Sequence, residues 1–176
     1  MKADALQFSL SRMSTPIGEM LVVTDHEQRL RALEWQDHEE RMRGLLARFY
    51  KGRPLRIADG VMSRELKDAF EAYFAGLLNV IDGIEVGMPG TAFQQSAWKI
   101  LRTIPAGQTL SYGEQAARMG RPKSMRAVGA ANGANPVGLV VPCHRVIGAN
   151  GSLTGYGGGI ERKRWLLEHE GTLGKG

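Results

Sequence analysis

Cysteine is almost absent from this chain, which has one such residue, Cys143, among 176. A single cysteine cannot form an internal disulfide, and it cannot supply a metal site built from several cysteines, so no metal of that kind is expected. Two roles remain for the thiol, which are inert packing in a core and reaction as a thiolate. A lone reduced cysteine also agrees with a cytoplasmic location.

Long hydrophobic runs are missing as well. No segment has 18 consecutive apolar residues, and residues 1–10 lack the basic start and apolar stretch of a secretory signal. We therefore expect neither membrane insertion nor export. The hydrophobic content of 43% is still enough for a core, and the length suits one ordinary domain or two small ones.

Acidic residues are scarce in the second half of the chain. Residues 91–176 carry 11 Lys and Arg against 4 Asp and Glu, a net charge of +7, whereas residues 1–90 carry 12 against 14, a net charge of −2. This asymmetry favours nucleic acid as the partner of the second half. A solvated basic face without any partner is the alternative.

The first half has the pattern of a small α/β domain. Three short runs, at 8–13, 20–24 and 30–35, alternate like strands between turn residues, which predicts an antiparallel meander. Two later stretches have helical spacing, and Ser63 is a predicted N-cap of the second. Residues 82–90 contain three glycines and one proline without periodicity, so we place a linker there, between domains at 1–81 and 91–176.

Helix signals open the second half. Capping-box patterns occur at Thr91 with Gln94 and at Ser111 with Glu114. The helix after Ser111 is expected to end near Gly120, and Pro122 to start another that runs to about Asn132, which together predict a helix-turn-helix.

The second helix of this pair carries mostly small side chains. Residues such as Ala127 and Gly129 either pack tightly against another helix or let this helix sit against a DNA groove. In the second interpretation its one arginine, Arg126, could reach into the base stack.

Cys143 lies between an apolar run at 137–141, which predicts a buried strand, and the pair His144 and Arg145. Positive charge on either neighbour would favour the thiolate. Successive residues of a strand point to opposite faces, so His144 is expected to reach the sulfur through a water unless the chain bends.

Two features lie further along the chain. Glu170 ends a predicted helix over 162–170, where it is either exposed or paired with a cation such as His144. The glycine-rich stretch 155–159 includes Tyr156, and it is either a flexible turn or an opening for a planar ligand with Tyr156 as one wall.

Five motifs together resemble one family. They are Pro142-Cys143-His144-Arg145-Val146, Arg126-Ala127-Val128-Gly129, Asn135-Pro136, Ser111-Tyr112-Gly113 and Trp165-Leu166-Leu167-x-His169-Glu170-Gly171. These are similar to motifs of the methylated-DNA–protein-cysteine methyltransferases, the O6-alkylguanine-DNA alkyltransferases of the bacterial single-polypeptide type. The resemblance is densest over residues 91–171. It implies an α/β (α+β) fold, with an N-terminal ribonuclease H-like domain followed by a C-terminal winged helix-turn-helix domain.

The resemblance also implies direct DNA repair. Cys143 would accept the alkyl group from O6 of a flipped guanine, and from O4 of thymine, in one irreversible step that consumes the protein. His144 would be the base, acting through water and held by Glu170. Asn135 would tie the helix-turn-helix to the active-site loop, and Tyr112 would assist the leaving guanine at N3.

Binding residues follow from the same resemblance. The base pocket would be formed by Tyr156, Gly157, Gly158 and the carbonyls of Cys143 and Val146. DNA contacts would come from Ser111, Arg126, Ala127 and Gly129, with Arg126 filling the gap left by the flipped nucleotide. The expected partner is double-stranded DNA bound through its minor groove. The protein is expected to be a monomer in solution and to bind DNA either singly or cooperatively. No cofactor is implied, because DNA supplies the alkyl group.

Three further hypotheses come from the residues. A thiol hydrolase would use Cys143, His144 and Glu170 as a triad with many turnovers. A non-catalytic helix-turn-helix module would bind DNA and leave the thiol inert. Finally, Gly157 and Gly158 lack side chains where some relatives have a serine, so we expect a roomier pocket that accepts alkyl groups larger than methyl.

Overall fold

A computed structural model describes residues 4–173, and the chain divides into two compact units with the boundary between Pro89 and Gly90. The first unit is built on a sheet, and the second is mainly helical. In the described part of the chain, no helix has the length and apolar character needed to cross a membrane.

The first unit contains a four-stranded sheet. Its strands are β1 (Leu6–Thr15), β2 (Gly18–Thr24), β3 (Leu30–Trp35) and β4 (Leu55–Asp59), in the order β3-β2-β1-β4. The first three strands form the predicted antiparallel meander, which is confirmed, and β4 adds to the edge in parallel with β1. The sequence analysis missed β4 because this five-residue edge strand has only partly buried and exposed positions.

Two helices accompany the sheet, α1 (Glu39–Phe49) and α2 (Arg64–Phe74). The apolar face of α1, with Met42 and Leu46, packs into a core with strand residues such as Phe8 and Leu21. The predicted N-cap of α2 is confirmed, since the Ser63 hydroxyl accepts a hydrogen bond from the Leu66 amide at 3.2 Å.

Part of the predicted linker is ordered against β3. The amide of Leu30 donates to the Glu85 carbonyl at 3.0 Å, and the amide of Gly87 donates to the Leu30 carbonyl at 2.9 Å. Arg31 also donates to the Gly87 carbonyl, at 3.2 Å. Residues 85–87 therefore extend the sheet contacts of the first unit, and the assignment of 82–90 as a linker stays a prediction.

The second unit is held together by buried hydrogen bonds between helices. Its elements are α3 (Ala92–Leu101), β5 (Leu110–Ser111), α4 (Tyr112–Arg118), α5 (Met125–Gly133), β6 (Val146–Ile147) and α6 (Ile160–His169). The amide side chains of Gln115 on α4 and Asn132 on α5 donate to each other, at 2.9 and 2.7 Å. Trp98 on α3 donates to the Ala131 carbonyl at 2.8 Å. Three helices are thereby fixed around one core.

Both predicted helix starts carry their caps. At Thr91 the full capping box is present. The Thr91 hydroxyl accepts from the Gln94 amide, and the Gln94 side-chain oxygen accepts from the Thr91 amide. The Ser111 hydroxyl accepts from the Glu114 amide at 3.1 Å. The start of the next helix was predicted wrongly: α5 begins at Met125 because residues 121–124 form a hydrogen-bonded turn.

The apolar run at 137–141 is buried as expected, but it is a turn and the predicted strand is wrong. Asn135 supplies the hydrogen bonds that a neighbouring strand would give: its Nδ2 donates to the Val141 carbonyl at 2.8 Å, and its Oδ1 accepts from the Val137 amide at 3.0 Å. Leu139 has a φ of 69°, which an extended strand does not allow. An apolar run reports burial but does not distinguish a strand from a buried turn.

We expect Thr91→Ala to lower the free energy of unfolding of the second unit by about 1 kcal/mol, because the first turn of α3 loses its capping hydroxyl. Urea denaturation followed by tryptophan fluorescence would measure the change, since two of the three tryptophans, Trp98 and Trp165, lie in the second unit. Thr91→Ser keeps the hydroxyl and is the control, which should unfold close to the wild-type midpoint. Equal losses in the two variants would mean that the cap does not stabilise the helix.

Candidate active site

Cys143 begins a single 3₁₀ turn, Cys143–Arg145, that follows the buried turn at 137–141. Its amide donates to the Val141 carbonyl at 2.8 Å, and Arg145 closes the next turn on the Pro142 carbonyl at 3.0 Å. The chain therefore bends at the thiol. Cys143 is partly exposed, whereas both following side chains are buried.

The two buried side chains meet one carboxylate. His144 Nε2 lies 2.9 Å and 3.1 Å from the two carboxylate oxygens of Glu170. Arg145 binds the same carboxylate in a bidentate manner, with Nε to Oε1 at 2.9 Å and Nη2 to Oε2 at 2.8 Å. Glu170, which directly follows α6, is only 4% exposed, so the interpretation of an exposed helix end is wrong.

The charges of this cluster follow from its contacts. Burial by itself would raise the pKa of Glu170, but His144 and the Arg145 guanidinium outweigh it and hold the pKa well below its usual range. Burial lowers the pKa of His144 despite the attraction of Glu170. Since Arg145 already balances the carboxylate, a proton added to His144 would leave an uncompensated buried positive charge. The resting state is therefore an ionised Glu170 beside a neutral His144.

This protonation state fixes the tautomer of His144. With Nε2–H donating to Glu170, Nδ1 carries the free lone pair, and it has no hydrogen-bond partner within residues 4–173. The histidine can therefore accept a proton through Nδ1. In this resting state His144 is neutral, and Arg145 is committed to Glu170 and to the Ile104 carbonyl at 2.7 Å, so the expectation that these two residues promote the thiolate stays a prediction.

A cavity of about 170 Å³ opens beside the thiol. Its lining residues are Tyr112, Gly129, Asn132, Gly133, Cys143, Gly155, Tyr156 and Gly157. Small residues of α5 form one side, and a Cβ atom built at Gly129 would lie 3.9 Å from the Tyr112 ring. The cavity thus brings together four residues predicted for the reaction and the base pocket, and it adds Gly129, which was predicted to face DNA.

Hydrogen bonds fix the chain at Thr154, directly before the glycine-rich stretch 155–159. The Tyr112 hydroxyl donates to the Thr154 carbonyl at 3.1 Å. Lys163 Nζ donates to the same carbonyl at 2.9 Å and to the Val146 carbonyl at 2.6 Å. Lys163 Nζ also donates to the Gly155 carbonyl at 3.4 Å, so the stretch 155–159 is anchored where it begins, which a merely flexible turn would not be.

Lys163 is a site residue that the sequence analysis missed. It is fully buried, and burial lowers its pKa to about 8, with the nearby Cys143 acting in the opposite direction. It had been overlooked inside the basic run of α6. Its spacing was the available signal, because Lys163, Leu166, Leu167 and Glu170 recur at the intervals of one buried helical face.

The remaining predicted residues lie around this centre. Val146 is buried and Gly158 is buried with its carbonyl accepting from Arg162 at 2.9 Å. Arg126 and Ala127 are exposed on α5, and Met125 beside them is 53% exposed. Ser111 uses its hydroxyl as the cap of α4. In the described residues, no group of three or more His, Cys, Asp and Glu side chains is arranged to hold a metal ion.

Two family models match the chain. Residues 10–86 match the ribonuclease-like domain of 6-O-methylguanine DNA methyltransferase, and residues 92–172 match the DNA binding domain of the same family. Together the matches cover most of both units.

Individual relatives agree with the family models. The chain is 51% identical over 162 residues to the methylated-DNA–protein-cysteine methyltransferase of Salmonella typhimurium, which covers 92% of this chain and 95% of the relative. A crystal structure of Mycobacterium tuberculosis O6-methylguanine methyltransferase has a TM-score of 0.74 at 42% identity, covering 93% and 92% of the two chains. A structure of the Mycobacterium tuberculosis protein in complex with DNA gives the same TM-score and identity over 92% of each chain. The predicted fold class is thereby confirmed.

Stability should fall as the pH drops below about 6.5. Unfolded His144 takes up a proton near its ordinary pKa of 6.5, whereas folded His144 stays neutral, so the unfolded state binds more protons and is favoured in acid. Glu170 causes a second loss of stability below about pH 4.5, because unfolded Glu170 takes up a proton there whereas folded Glu170 stays ionised. Denaturation of His144→Gln between pH 7.5 and 5.5 should show a flatter profile than wild type.

The control for this pH profile is His26→Gln, which removes a histidine whose side chain is 81% exposed. It should follow the wild-type profile. Parallel profiles for wild type and His144→Gln would contradict the neutral buried histidine.

Proposed function

This chain belongs to the methylated-DNA–protein-cysteine methyltransferase family, and from that membership we infer that it repairs DNA by transferring an alkyl group from O6 of guanine to the sulfur of Cys143. The observation that supports Cys143 as the acceptor is its surroundings. The thiol borders a cavity, and the adjacent His144 offers an unpartnered Nδ1 while Glu170 holds its other nitrogen.

The first step is removal of the thiol proton. We expect a water to pass this proton from Cys143 to Nδ1 of His144, because that nitrogen is the free acceptor. The thiolate formed in the same step balances the charge of the imidazolium, and His144 Nε2 keeps its hydrogen bond to the Glu170 carboxylate, which Arg145 orients. This arrangement costs little reorganisation when charge moves.

The thiolate then attacks the alkyl carbon. A new C–S bond forms, the bond from the alkyl carbon to O6 breaks, and its electron pair stays on the guanine. Protonation at N3 would neutralise the leaving base, and Tyr112 is the proposed donor. Its hydroxyl is bonded to the Thr154 carbonyl in this structure, so it must exchange that partner for the base. A thioether is not readily cleaved, so each molecule acts once.

The base must leave the duplex to reach the thiol. An O6 atom inside the helix is closed to in-line attack, and extrusion costs a few kcal/mol that contacts in the cavity can offset. We propose that Tyr156 and Gly157 flank the flipped base, and that the carbonyls of Cys143 and Val146 accept hydrogen bonds from its exocyclic amine. The Val146 carbonyl also binds Lys163, whose proton leaves one lone pair of that oxygen available.

The exposed side of α5 is the proposed DNA surface. Arg126 is exposed there beside Ala127, as a wedge residue and its small neighbour should be. Ser111 lies at the start of α4, and Gly129 lies on the side of α5 that faces the cavity. We propose minor-groove binding with little sequence preference and strong salt dependence, either by single molecules or cooperatively. A cytoplasmic location completes the proposal.

The two rival functions are not favoured. A hydrolase would release many product molecules per protein, and an inert DNA-binding module would release none. Neither accounts for family membership over both units. O4-alkylthymine remains part of the proposal as a second substrate, and so does the division into domains at 1–81 and 91–176.

Wild-type protein incubated with excess duplex containing O6-methylguanine should gain the mass of one CH₂ group, because a methyl group replaces the thiol proton. Intact-mass spectrometry would measure it, with Cys143→Ser as the variant that should gain nothing. Unmodified duplex is the control substrate. Repeated loss of the lesion without a stable mass gain would support the hydrolase instead.

A second prediction concerns the width of the cavity. Gly157 lines it beside Cys143, so Gly157→Ser should slow transfer of a benzyl group more than transfer of a methyl group. Single-turnover rates for both adducts give the ratio. Gly44→Ser, on α1 with no atom within 4 Å of the added carbon, is the control. An unchanged ratio in Gly157→Ser would show that Gly157 does not set the width.

A further inference from the structure

The acidic first half of the chain contains a basic segment that its net charge conceals. From 41 to 58, the sequence has six Lys and Arg residues and no Asp or Glu. This segment covers most of α1, the turn that follows it, and the start of β4. The transfer reaction described above makes no use of it.

Two of these six cations have partners within the unit. Arg41 binds the buried Glu34, and Arg43 lies 3.0 Å from Glu39. The other four, Arg48, Lys51, Arg53 and Arg56, are exposed, and their side chains make no hydrogen bond or ion pair with residues 4–173. Unpaired cations with no acidic neighbour in the segment produce a local positive potential.

Arg56 differs from the other three cations because of its position on β4. On β4, Leu55 and Ile57 pack against the core that α1 covers, so Arg56 between them points to the opposite face of the sheet. Arg48 lies in the last turn of α1, where the helix dipole already explains a cation. Lys51 and Arg53 have no such local explanation.

Lys51 and Arg53 line an open groove of about 390 Å³ on the α1 side of the sheet. The other lining residues are Arg43, Ala47, Tyr50, Gly52, Leu55 and Ile57. Two unpaired cations, together with Arg43 that is paired with Glu39, therefore face one concave surface whose lining contains no carboxylate. We call this surface, with Arg43, Lys51 and Arg53, the α1–β4 groove.

We propose that the α1–β4 groove is a second, sequence-independent contact of this protein with the phosphate backbone of DNA. Duplex DNA carries one negative charge per roughly 1.7 Å of its axis, and guanidinium and ammonium groups bind its phosphates without reading bases. The first unit is covalently joined to the DNA-binding domain, so its local concentration near phosphates is high when that domain is bound. A weak contact can then add to affinity. The proposal rests on duplex DNA being the substrate.

The test compares Lys51→Gln/Arg53→Gln with wild type on an undamaged duplex, with affinity measured by fluorescence anisotropy between 50 and 200 mM salt. Loss of two phosphate contacts should reduce the slope of log affinity against log salt by about 1.8. The advantage of wild type over the variant should therefore shrink by about 12-fold across this range.

The control is Arg56→Gln/Arg64→Gln, which removes two exposed cations of the same unit outside the groove. Its slope should stay at the wild-type value. Equal changes in both double variants would mean a general effect of net charge, and an unchanged slope in Lys51→Gln/Arg53→Gln would mean no contact. Either result overturns the proposal.

A reaction without DNA keeps this test separate from the proposed function. All three proteins should transfer the benzyl group from the free base O6-benzylguanine at the same rate, which shows that the active site in the second unit is intact, and urea denaturation should show that the first unit of each variant is folded. If wild type gained no methyl group from the O6-methylguanine duplex in the mass measurement above, the proposed chemistry would fail, while the salt slopes would still test the contact between the groove and DNA. If only the groove variant transferred more slowly, misfolding would explain its slope and the proposal would be withdrawn.

Discussion

The structure of the active site depends on one buried carboxylate. Glu170 receives hydrogen bonds from two consecutive residues, His144 and Arg145, that lie 25 and more positions earlier in the chain. Consecutive side chains of a strand could not both reach it, so the 3₁₀ turn at Cys143 is a requirement of this contact. Because Arg145 neutralises the carboxylate, the histidine beside it stays uncharged and can act as a base. Breaking a buried ion pair of this kind typically costs about 3–5 kcal/mol.

Irregular backbone around the thiol is held by side chains that serve its carbonyls and amides. Asn135 bonds both ends of the turn at 137–141, and Lys163 donates to the carbonyls of Val146 and Thr154. Buried backbone groups outside helices and sheets need such partners. Each of these two residues is therefore a structural element of the site, whatever part it plays in the reaction.

Positive charge is distributed unequally between the two units. The second unit carries the positive excess, and α5 displays Arg126 on a surface of small residues that a DNA groove could approach. In the first unit several cations are matched by carboxylates, as Arg41 is by Glu34, whereas Lys51 and Arg53 of the α1–β4 groove form no ion pair with the described residues. A net charge of −2 for residues 1–90 does not reveal that exception, because pairing depends on neighbours and not on totals.

Local sequence determined the features that depend on near neighbours. The caps at Ser63, Thr91 and Ser111, the meander, and the burial of 137–141 all follow from hydroxyl placement, turn residues and hydrophobic spacing over a few positions. The motifs around Cys143 were sufficient to indicate the family. Only the tertiary structure decided what depends on distant partners. Glu170 is buried because His144 and Arg145 reach it. His144 is neutral because the cluster around it is buried and already balanced in charge, and 137–141 is a turn because Asn135 replaces a strand partner. Lys163 is a core residue for the same physical reason: carbonyls brought together by the fold satisfy its ammonium group, and the helical spacing that indicates its burial does not identify those partners.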